Sequence, residues 1–173
     1  MTNKVLGTSV RRKEDPKMLQ GTAVFTADMA VDGMLHMAIL RSTHAHAMIK
    51  GIDTSAAEKM PGVVKVITGE DLVKANVMPL PCVWIPGSGE SHFPSHPMGM
   101  PGAGNVLATD KVRFVGDPIA AVVAETDYQA QDALEGIVVD YHPLPAVIDA
   151  EEALQDGAPQ LHDEVANNLN AYV

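Results

Sequence analysis

Two histidines one residue apart, His44 and His46, are side chains whose type and spacing could do chemistry. Side chains alternate between the two faces of a strand, so in an extended segment both imidazoles would project from the same face. With a third ligand such as His36, the pair could hold a metal ion. We favour the simpler interpretation, in which both histidines are hydrogen-bonded at the end of a strand.

A second group of potential ligands comprises Cys82, His92 and His96. The histidine spacing would suit one face of a helix, but Pro94 lies between them and excludes a regular helix. A structural zinc site uses four ligands, and this segment supplies three. A nucleophilic cysteine needs a histidine partner, and the sequence identifies none. We therefore expect an ordinary thiol and no metal site.

The glycines between residues 99 and 104 do not form a nucleotide-binding pattern. They match neither G-x-G-x-x-G nor a P-loop, and they do not separate a strand from a helix as phosphate-binding loops do. The sequence also contains no G-x-S-x-G and no H-E-x-x-H motif. We accordingly predict no catalytic, cofactor-binding or metal-ligating residue within this chain.

Composition and charge indicate a globular domain that does not bind nucleic acid. The chain has 173 residues and is 46% apolar, which suits one packed core. Residues 75–173 carry 14 acidic and 2 basic side chains, and such a surface repels phosphates. The single cysteine excludes an internal disulfide and suits a reducing compartment. Because no signal peptide or membrane span is visible, we expect a cytoplasmic protein.

Apolar and β-branched runs predict short strands that alternate with short helices. The predicted strands cover residues 34–40, 44–49, 63–68, 119–124 and 138–141. The first is uniformly apolar, which predicts a strand covered on both faces. Predicted helices cover residues 53–60, 69–74 and the segment ending near residue 137, with a short one near residue 152. Their N-terminal signals are Ser55 with Glu58, Thr68 with Asp71, Thr126 with Gln129, and Asp149 with Glu152.

This alternation predicts the α+β class, with a mixed sheet flanked by short helices. Residues 1–33 are weakly patterned, and we expect an extended N-terminal arm. The domain proper is predicted over residues 34–157 and includes a long Pro/Gly loop, residues 75–106, with 6 Pro and 5 Gly. Loops of this length are usually functional or disordered. Residues 158–173 form a tail.

Several short motifs follow one another in fixed order outside the Pro/Gly loop. They include Arg41-Ser42-x-His44-Ala45-His46-Ala47, Met60-Pro61-Gly62-Val63, Val112-Arg113-x-Val115-Gly116-Asp117-Pro118 and Val138-Val139-Asp140-Tyr141-x-Pro143. As an ordered set they resemble the N-terminal α/β-hammerhead domain of the molybdenum hydroxylases. That family includes xanthine dehydrogenase, aldehyde oxidase and the large subunit of aerobic carbon monoxide dehydrogenase.

The resemblance implies the hammerhead portion of a large subunit, with a role in structural support and in lining the substrate path. The whole enzyme would oxidise aldehydes, N-heterocycles or carbon monoxide. It would carry molybdopterin, as the cytosine dinucleotide form, with iron–sulfur clusters and FAD. Its partners would be a molybdenum cofactor-binding domain or subunit, an iron–sulfur subunit and an FAD subunit.

The family's cofactor-binding and catalytic residues have no counterpart in this chain, so none is carried over. Met100 and Pro101 match the loop that reaches towards the substrate funnel, and we expect these two residues to line substrate access. Two other functions stay open. One is a stand-alone metal- or ligand-binding module that uses the histidines and the cysteine considered above, and the other is a protein–protein adaptor.

Overall fold

The computed structural model describes residues 7, 9, 11–78, 105–163 and 168. The chain divides into two compact units, Met1–Met34 and Leu35–Val173. In the first unit, helix α1 (Asp15–Leu19) and a 3-10 turn (Thr26–Asp28) interrupt the extended arm that the sequence predicts. Helix α1 was not predicted from the sequence, although Pro16 is a start signal because its fixed φ suits the first helical turn.

The second unit contains two three-stranded antiparallel sheets. The strands are β1 (His36–Arg41), β2 (Ala47–Asp53), β3 (Val63–Thr68), β4 (Lys111–Val112), β5 (Pro118–Ala124) and β6 (Val138–Pro143). One sheet has the order β1-β5-β3 and the other has the order β4-β2-β6. The predicted α+β class, with sheets and a few short helices, is confirmed, and the strands divide between two sheets.

Two short helices follow strands in this unit, α2 (Gly69–Lys74) and α3 (Asp127–Leu134). Both begin where the sequence predicts. The Asp71 carboxylate accepts the Thr68 N–H at 2.9 Å, and this hydrogen bond holds the pKa of Asp71 below its usual range. At α3, the Thr126 N–H donates to Gln129 at 3.0 Å. Such reciprocal caps satisfy N–H groups that have no partner within the helix.

The turns flanking these elements are shorter than predicted or differently capped. Residues 53–60 form only a 3-10 turn, Ala57–Lys59. The predicted pairing of Ser55 with Glu58 is wrong, because the Asp53 carboxylate accepts the Ser55 N–H and Thr54 donates to Glu58 instead. Another 3-10 turn, Glu152–Leu154, is capped by Asp149 as predicted, through the N–H groups of residues 151 and 152.

The first strand is covered on one face only, so the prediction of two covered faces is wrong. On one side, Ala38 is buried against α3. On the other side, Met37 is 59% exposed. Its cross-strand neighbour on β5 is Val123, and Val123 is paired on its far side with the exposed Lys65 of β3. In β2 the prediction errs by three residues, since the strand begins at Ala47 and not at His44.

Small side chains let the elements approach closely. Ala130 and Ala133 of α3 are fully buried, and Ala133 packs with Val122 of β5 and Val66 of β3. A second cluster joins Ala47, Ala108, Val112 and Ile119. Gly69 allows a still closer approach, because it has no side chain. A Cβ built on Gly69 would lie 2.6 Å from the Ala108 carbonyl oxygen and 2.9 Å from that of Leu107. The start of α2 therefore packs directly against the backbone around residue 108.

We predict that Gly69→Ala lowers the free energy of unfolding by about 1–3 kcal/mol, because the added methyl group forces a backbone shift. Gly51→Ala is the matched control, since a Cβ on that strand glycine would meet no atom within 4 Å. Its effect should stay within about 0.5 kcal/mol. Urea unfolding followed by circular dichroism measures both. Equal stability of the two variants would contradict the close packing at Gly69.

Candidate functional site

Polar and titratable side chains converge where strand β4 meets the end of the described chain. Lys111 on β4 is only 3% exposed, and its Nζ lies 2.9 Å from both carboxylate oxygens of Asp163. A buried ammonium group is costly unless a charged partner accepts its hydrogen bonds. The bond from Lys111 lowers the pKa of Asp163 below its usual range. This ion pair holds Asp163, which follows Lys111 by 52 positions in the sequence, against strand β4.

Arg113 makes a second attachment to the same segment. Its Nε donates to the Leu161 carbonyl at 3.1 Å, and its Nη1 donates to the Lys111 carbonyl at 3.1 Å. Asn168 completes the attachment, because its Oδ1 accepts the Leu161 N–H while its Nδ2 donates to two further carbonyls. Both backbone polar groups of Leu161 are therefore bonded. We call Leu161–Asp163 the anchored segment.

His46 lies buried near this attachment, with 5% of its surface exposed. Its Nδ1 donates to the Pro145 carbonyl at 2.7 Å, and the His46 carbonyl accepts the Leu144 N–H at 2.9 Å. The histidine thus joins the connection before β2 to the chain after β6. Its Nε2 is buried and has no hydrogen-bond partner among the described residues.

His44 has different neighbours from His46. Its ring stacks at a tilt on Tyr141, with 4.4 Å between centroids and 32° between planes. Its Nδ1 lies 3.3 Å from the Thr43 hydroxyl. Burial raises the pKa of Tyr141, while a hydrogen bond with Ser42 opposes that rise. The two histidines precede β2, so the favoured interpretation, hydrogen-bonded histidines at a strand end, is confirmed.

The structure does not bring the candidate metal ligands among the described residues together. His36 lies on β1, in the other sheet from the strand that follows the histidine pair. Within the described residues, no three His, Cys, Asp or Glu side chains are grouped to hold a metal ion. Cys82, His92 and His96 lie outside the described residues, and so do the expected substrate-access residues Met100 and Pro101.

A tight turn between β4 and β5 completes the cluster. The Asp117 carboxylate accepts the Arg113 N–H at 2.9 Å, and its half-buried position raises its pKa. The Ser42 N–H donates to the Asp117 carbonyl at 2.9 Å, and the Gly116 N–H donates to the Ser42 carbonyl at 2.8 Å. These bonds tie the connection between β1 and β2 to the turn.

Together these contacts can position a segment, and they do not form a nucleophile with an activating base. The Ser42 hydroxyl is bonded to the backbone of His44, and the Lys111 ammonium is bonded to Asp163. The ion pair between Lys111 and Asp163 was not predicted from the sequence. Its signal was available, because Lys111 and Arg113 are the only basic side chains after residue 74.

Comparisons with known proteins place these elements among oxidoreductases. Residues 20–145 match the model of the "aldehyde oxidase and xanthine dehydrogenase, a/b hammerhead domain". The gamma subunit of the 6-hydroxypseudooxynicotine dehydrogenase complex of Paenarthrobacter nicotinovorans is 44% identical over 155 residues, which cover 86% of this chain and 18% of that protein. The carbon monoxide dehydrogenase large chain of Afipia carboxidovorans is 36% identical over a region that covers 95% of this chain and 18% of that protein.

Solved structures give the same result. Crystalline Cu,Mo-CO dehydrogenase superimposes with a TM-score of 0.77 at 36% identity, covering 95% of this chain and 19% of that one. Quinoline 2-oxidoreductase of Pseudomonas putida 86 superimposes with a TM-score of 0.78 at 37% identity, covering 95% of this chain and 20% of that one. The chain spans about a fifth of the length of the curated relatives it matches. No helix in the described part of the chain is long and apolar enough to cross a membrane.

We predict that Asp163→Asn lowers the free energy of unfolding at pH 7 by about 1–3 kcal/mol, because the buried Lys111 ammonium loses its charged partner. The matched control is Asp140→Asn, which alters an exposed carboxylate on β6. Urea unfolding measures both variants. A loss no larger than that of the control would contradict the assigned role of the ion pair.

The same ion pair predicts a pH dependence. The pKa of Asp163 is lower in the folded chain than in the unfolded chain, so its stabilising contribution is complete above the usual aspartate value of about 4. The contribution is lost as pH falls through the lower, folded value. The stability difference between wild type and Asp163→Asn should therefore shrink from pH 5 towards pH 3. A difference that stays constant would contradict this assignment.

Proposed function

This chain belongs to the aldehyde oxidase and xanthine dehydrogenase family as its a/b hammerhead domain, and we propose that it is the structural hammerhead portion of a molybdenum hydroxylase large subunit. In this proposal the chain supports the cofactor-binding portion and lines part of the substrate path. Catalysis takes place on other portions of the enzyme. The oxidised substrate is an aldehyde, an N-heterocycle or carbon monoxide.

The observation that carries this proposal is the attachment of Leu161–Asp163 to β4. Lys111 and Arg113 are the two cations of the acidic part of the sequence, and both are committed to that segment. Lys111 is buried and the Asp163 side chain is 72% exposed, so the segment contributes the carboxylate from the surface to a cation that is held in the core. The arrangement supports a role in setting where the chain leaves this domain.

The described residues do not fit a molybdopterin cofactor. The buried polar side chains are Ser42, His46 and Lys111, and each is bonded to this chain's own backbone or to Asp163. The buried His46 Nε2 is the one such atom without a partner among the described residues, and a single imidazole nitrogen does not make the several donors that a phosphate-bearing cofactor needs. We therefore assign no step of the reaction to a cofactor held by these residues. In the proposal, molybdopterin in its cytosine dinucleotide form, iron–sulfur clusters and FAD bind to other portions or subunits of a cytoplasmic complex.

The relatives' own activities support the substrate classes. Their names include 6-hydroxypseudooxynicotine dehydrogenase, nicotine 6-hydroxylase and carbon monoxide dehydrogenase, and their names describe subunits or chains of larger enzymes. For this chain we propose the same kind of assembly, with a molybdenum cofactor-binding domain or subunit, an iron–sulfur subunit and an FAD subunit.

We predict that the native protein, purified through an affinity tag from the cells that make it, contains about one molybdenum atom per hammerhead domain. Its mass should greatly exceed that of the 173-residue chain. The isolated chain should oxidise none of the three substrate classes, because its described polar groups hold structure. Mass spectrometry, metal analysis and dye-reduction assays measure these properties. Turnover by the isolated chain, or a native protein without molybdenum, would refute the proposal.

For Met100 and Pro101, we propose a role in substrate access, supported by the family resemblance. Met100→Ala in the native enzyme should change KM by several-fold and leave kcat nearly unchanged, because side chains on an access path affect binding more than the chemical step. Met37→Ala is the control, since that exposed methionine lies on the first sheet. An unchanged KM and substrate preference in Met100→Ala would contradict the role.

A further inference from the structure

The turn between β4 and β5 displays two large apolar side chains. Phe114 is 56% exposed and Val115 is 66% exposed. The strand residues on either side are fully buried, since Val112 and Ile119 have no exposed surface. The turn therefore carries adjacent apolar groups outward from a well-packed base. We call Phe114 and Val115 the apolar tip.

Hydrogen bonds hold the tip from both sides. The Asp117 N–H donates to the Phe114 carbonyl at 3.2 Å, and the Gly116 N–H donates to the Ser42 carbonyl at 2.8 Å. Gly116 has a φ of +92°, which a larger residue would adopt only with strain. Arg41 donates through Nη1 to the Gly116 carbonyl at 3.0 Å. A surface already fixed in its bound shape loses little conformational entropy when a partner covers it.

The border of the tip is positively charged. Arg41 is exposed, and its guanidinium has no carboxylate within 4.0 Å in the part of the chain that the structure describes. Arg113 has one carboxylate at that limit, Asp110 at 4.0 Å. The Asp117 carboxylate is turned towards the Arg113 N–H and is half-buried. A partner that covers the tip therefore matches it best with an apolar pocket and a carboxylate at its edge.

We propose that the apolar tip docks into such a pocket on the cofactor-binding portion of the same large subunit. This inference rests on the proposed function. In the matched relatives, about four fifths of the polypeptide lies outside the matched region, so much chain is available to cover the tip. The anchored segment is bonded to Lys111 and Arg113, directly before the tip. The anchored segment therefore lies next to the base of the tip, so a partner that contacts this segment can also reach the tip.

Charge disfavours a second copy of this chain as the partner. In a twofold interface the same patch occurs on both sides, so an interface centred on the tip would contain two copies of Arg41 and of its positive charge. Like charges placed in contact without a carboxylate between them oppose association. A partner with a different surface can instead place a carboxylate beside Arg41.

The test compares the exposure of residue 115 in the isolated chain and in the native protein. Val115→Cys is made with Cys82→Ser, so that the engineered thiol is the only one in the chain. Maleimide labelling is followed by mass spectrometry of the peptide that contains residue 115. Tyr128→Cys in the same background is the reference, because Tyr128 on α3 is 83% exposed. In the isolated chain both thiols should react at comparable rates.

In the native protein the thiol at residue 115 should react at least ten-fold more slowly than in the isolated chain. An unchanged rate would overturn the proposal, as would protection in the isolated chain accompanied by dimers in light scattering. Molybdenum analysis of the same sample reports on the proposed function separately. If residue 115 is protected but the protein lacks molybdenum, the tip is an interface and the hydroxylase assignment is refuted. If the protein contains molybdenum but residue 115 is not protected, the hydroxylase assignment stands and the docking of the tip is refuted.

A second variant tests the energetic role of the tip. Phe114→Ser should leave the urea midpoint of the isolated chain unchanged, because the side chain is already more than half exposed. The yield of molybdenum-containing native protein should fall at least ten-fold, as expected when an interface loses an aromatic anchor. Tyr128→Ser is the matched control and should keep the wild-type yield. Normal assembly of Phe114→Ser would overturn the proposal.

Discussion

The burial of one ammonium group constrains much of this domain. Lys111 lies almost fully buried on a two-residue strand that has few ladder hydrogen bonds of its own. Its charge can stay buried only while Asp163 faces it, because an unpaired ion in a protein interior is strongly destabilising. The short strand β4, its neighbour β2 and the anchored segment therefore depend on one another. Arg113 strengthens this connection, because its side chain donates to the carbonyl of Leu161 in the anchored segment and to the carbonyl of Lys111 on β4.

The remaining polar groups of the cluster are also bonded within the domain. Ser42, His46 and Asp117 each bond to backbone groups that come from a different part of the chain. Such bonds contribute modestly to stability one by one, but a buried polar group without its partner costs considerably more. The cluster thus specifies one arrangement of loops between the two sheets. This explains how a core rich in alanine and valine, with little aromatic surface, can still hold its connections in fixed positions.

Local features were predictable from the sequence, and distant pairings were not. The bounds of β3 and α2 match the predictions residue for residue, because a β-branched run and the cap formed by Thr68 and Asp71 act over few positions. The start of β2 was wrong because His46 bonds to Pro145, 99 residues away, and leaves the strand pattern. The ion pair spans 52 residues, and periodicity carries no information about such a contact.

The close approach of Gly69 to the Ala108 carbonyl has a consequence for how the domain can vary. Residues 69 and 108 are therefore neighbours in space although they are far apart in the sequence. Joining two nearby ends through a longer loop costs little, since doubling the length of a flexible loop adds only about 0.6 kcal/mol. A change in the length of the chain between them therefore costs the two sheets little stability. The packing of the two sheets therefore leaves the length of that connection free to be set by what the connection does.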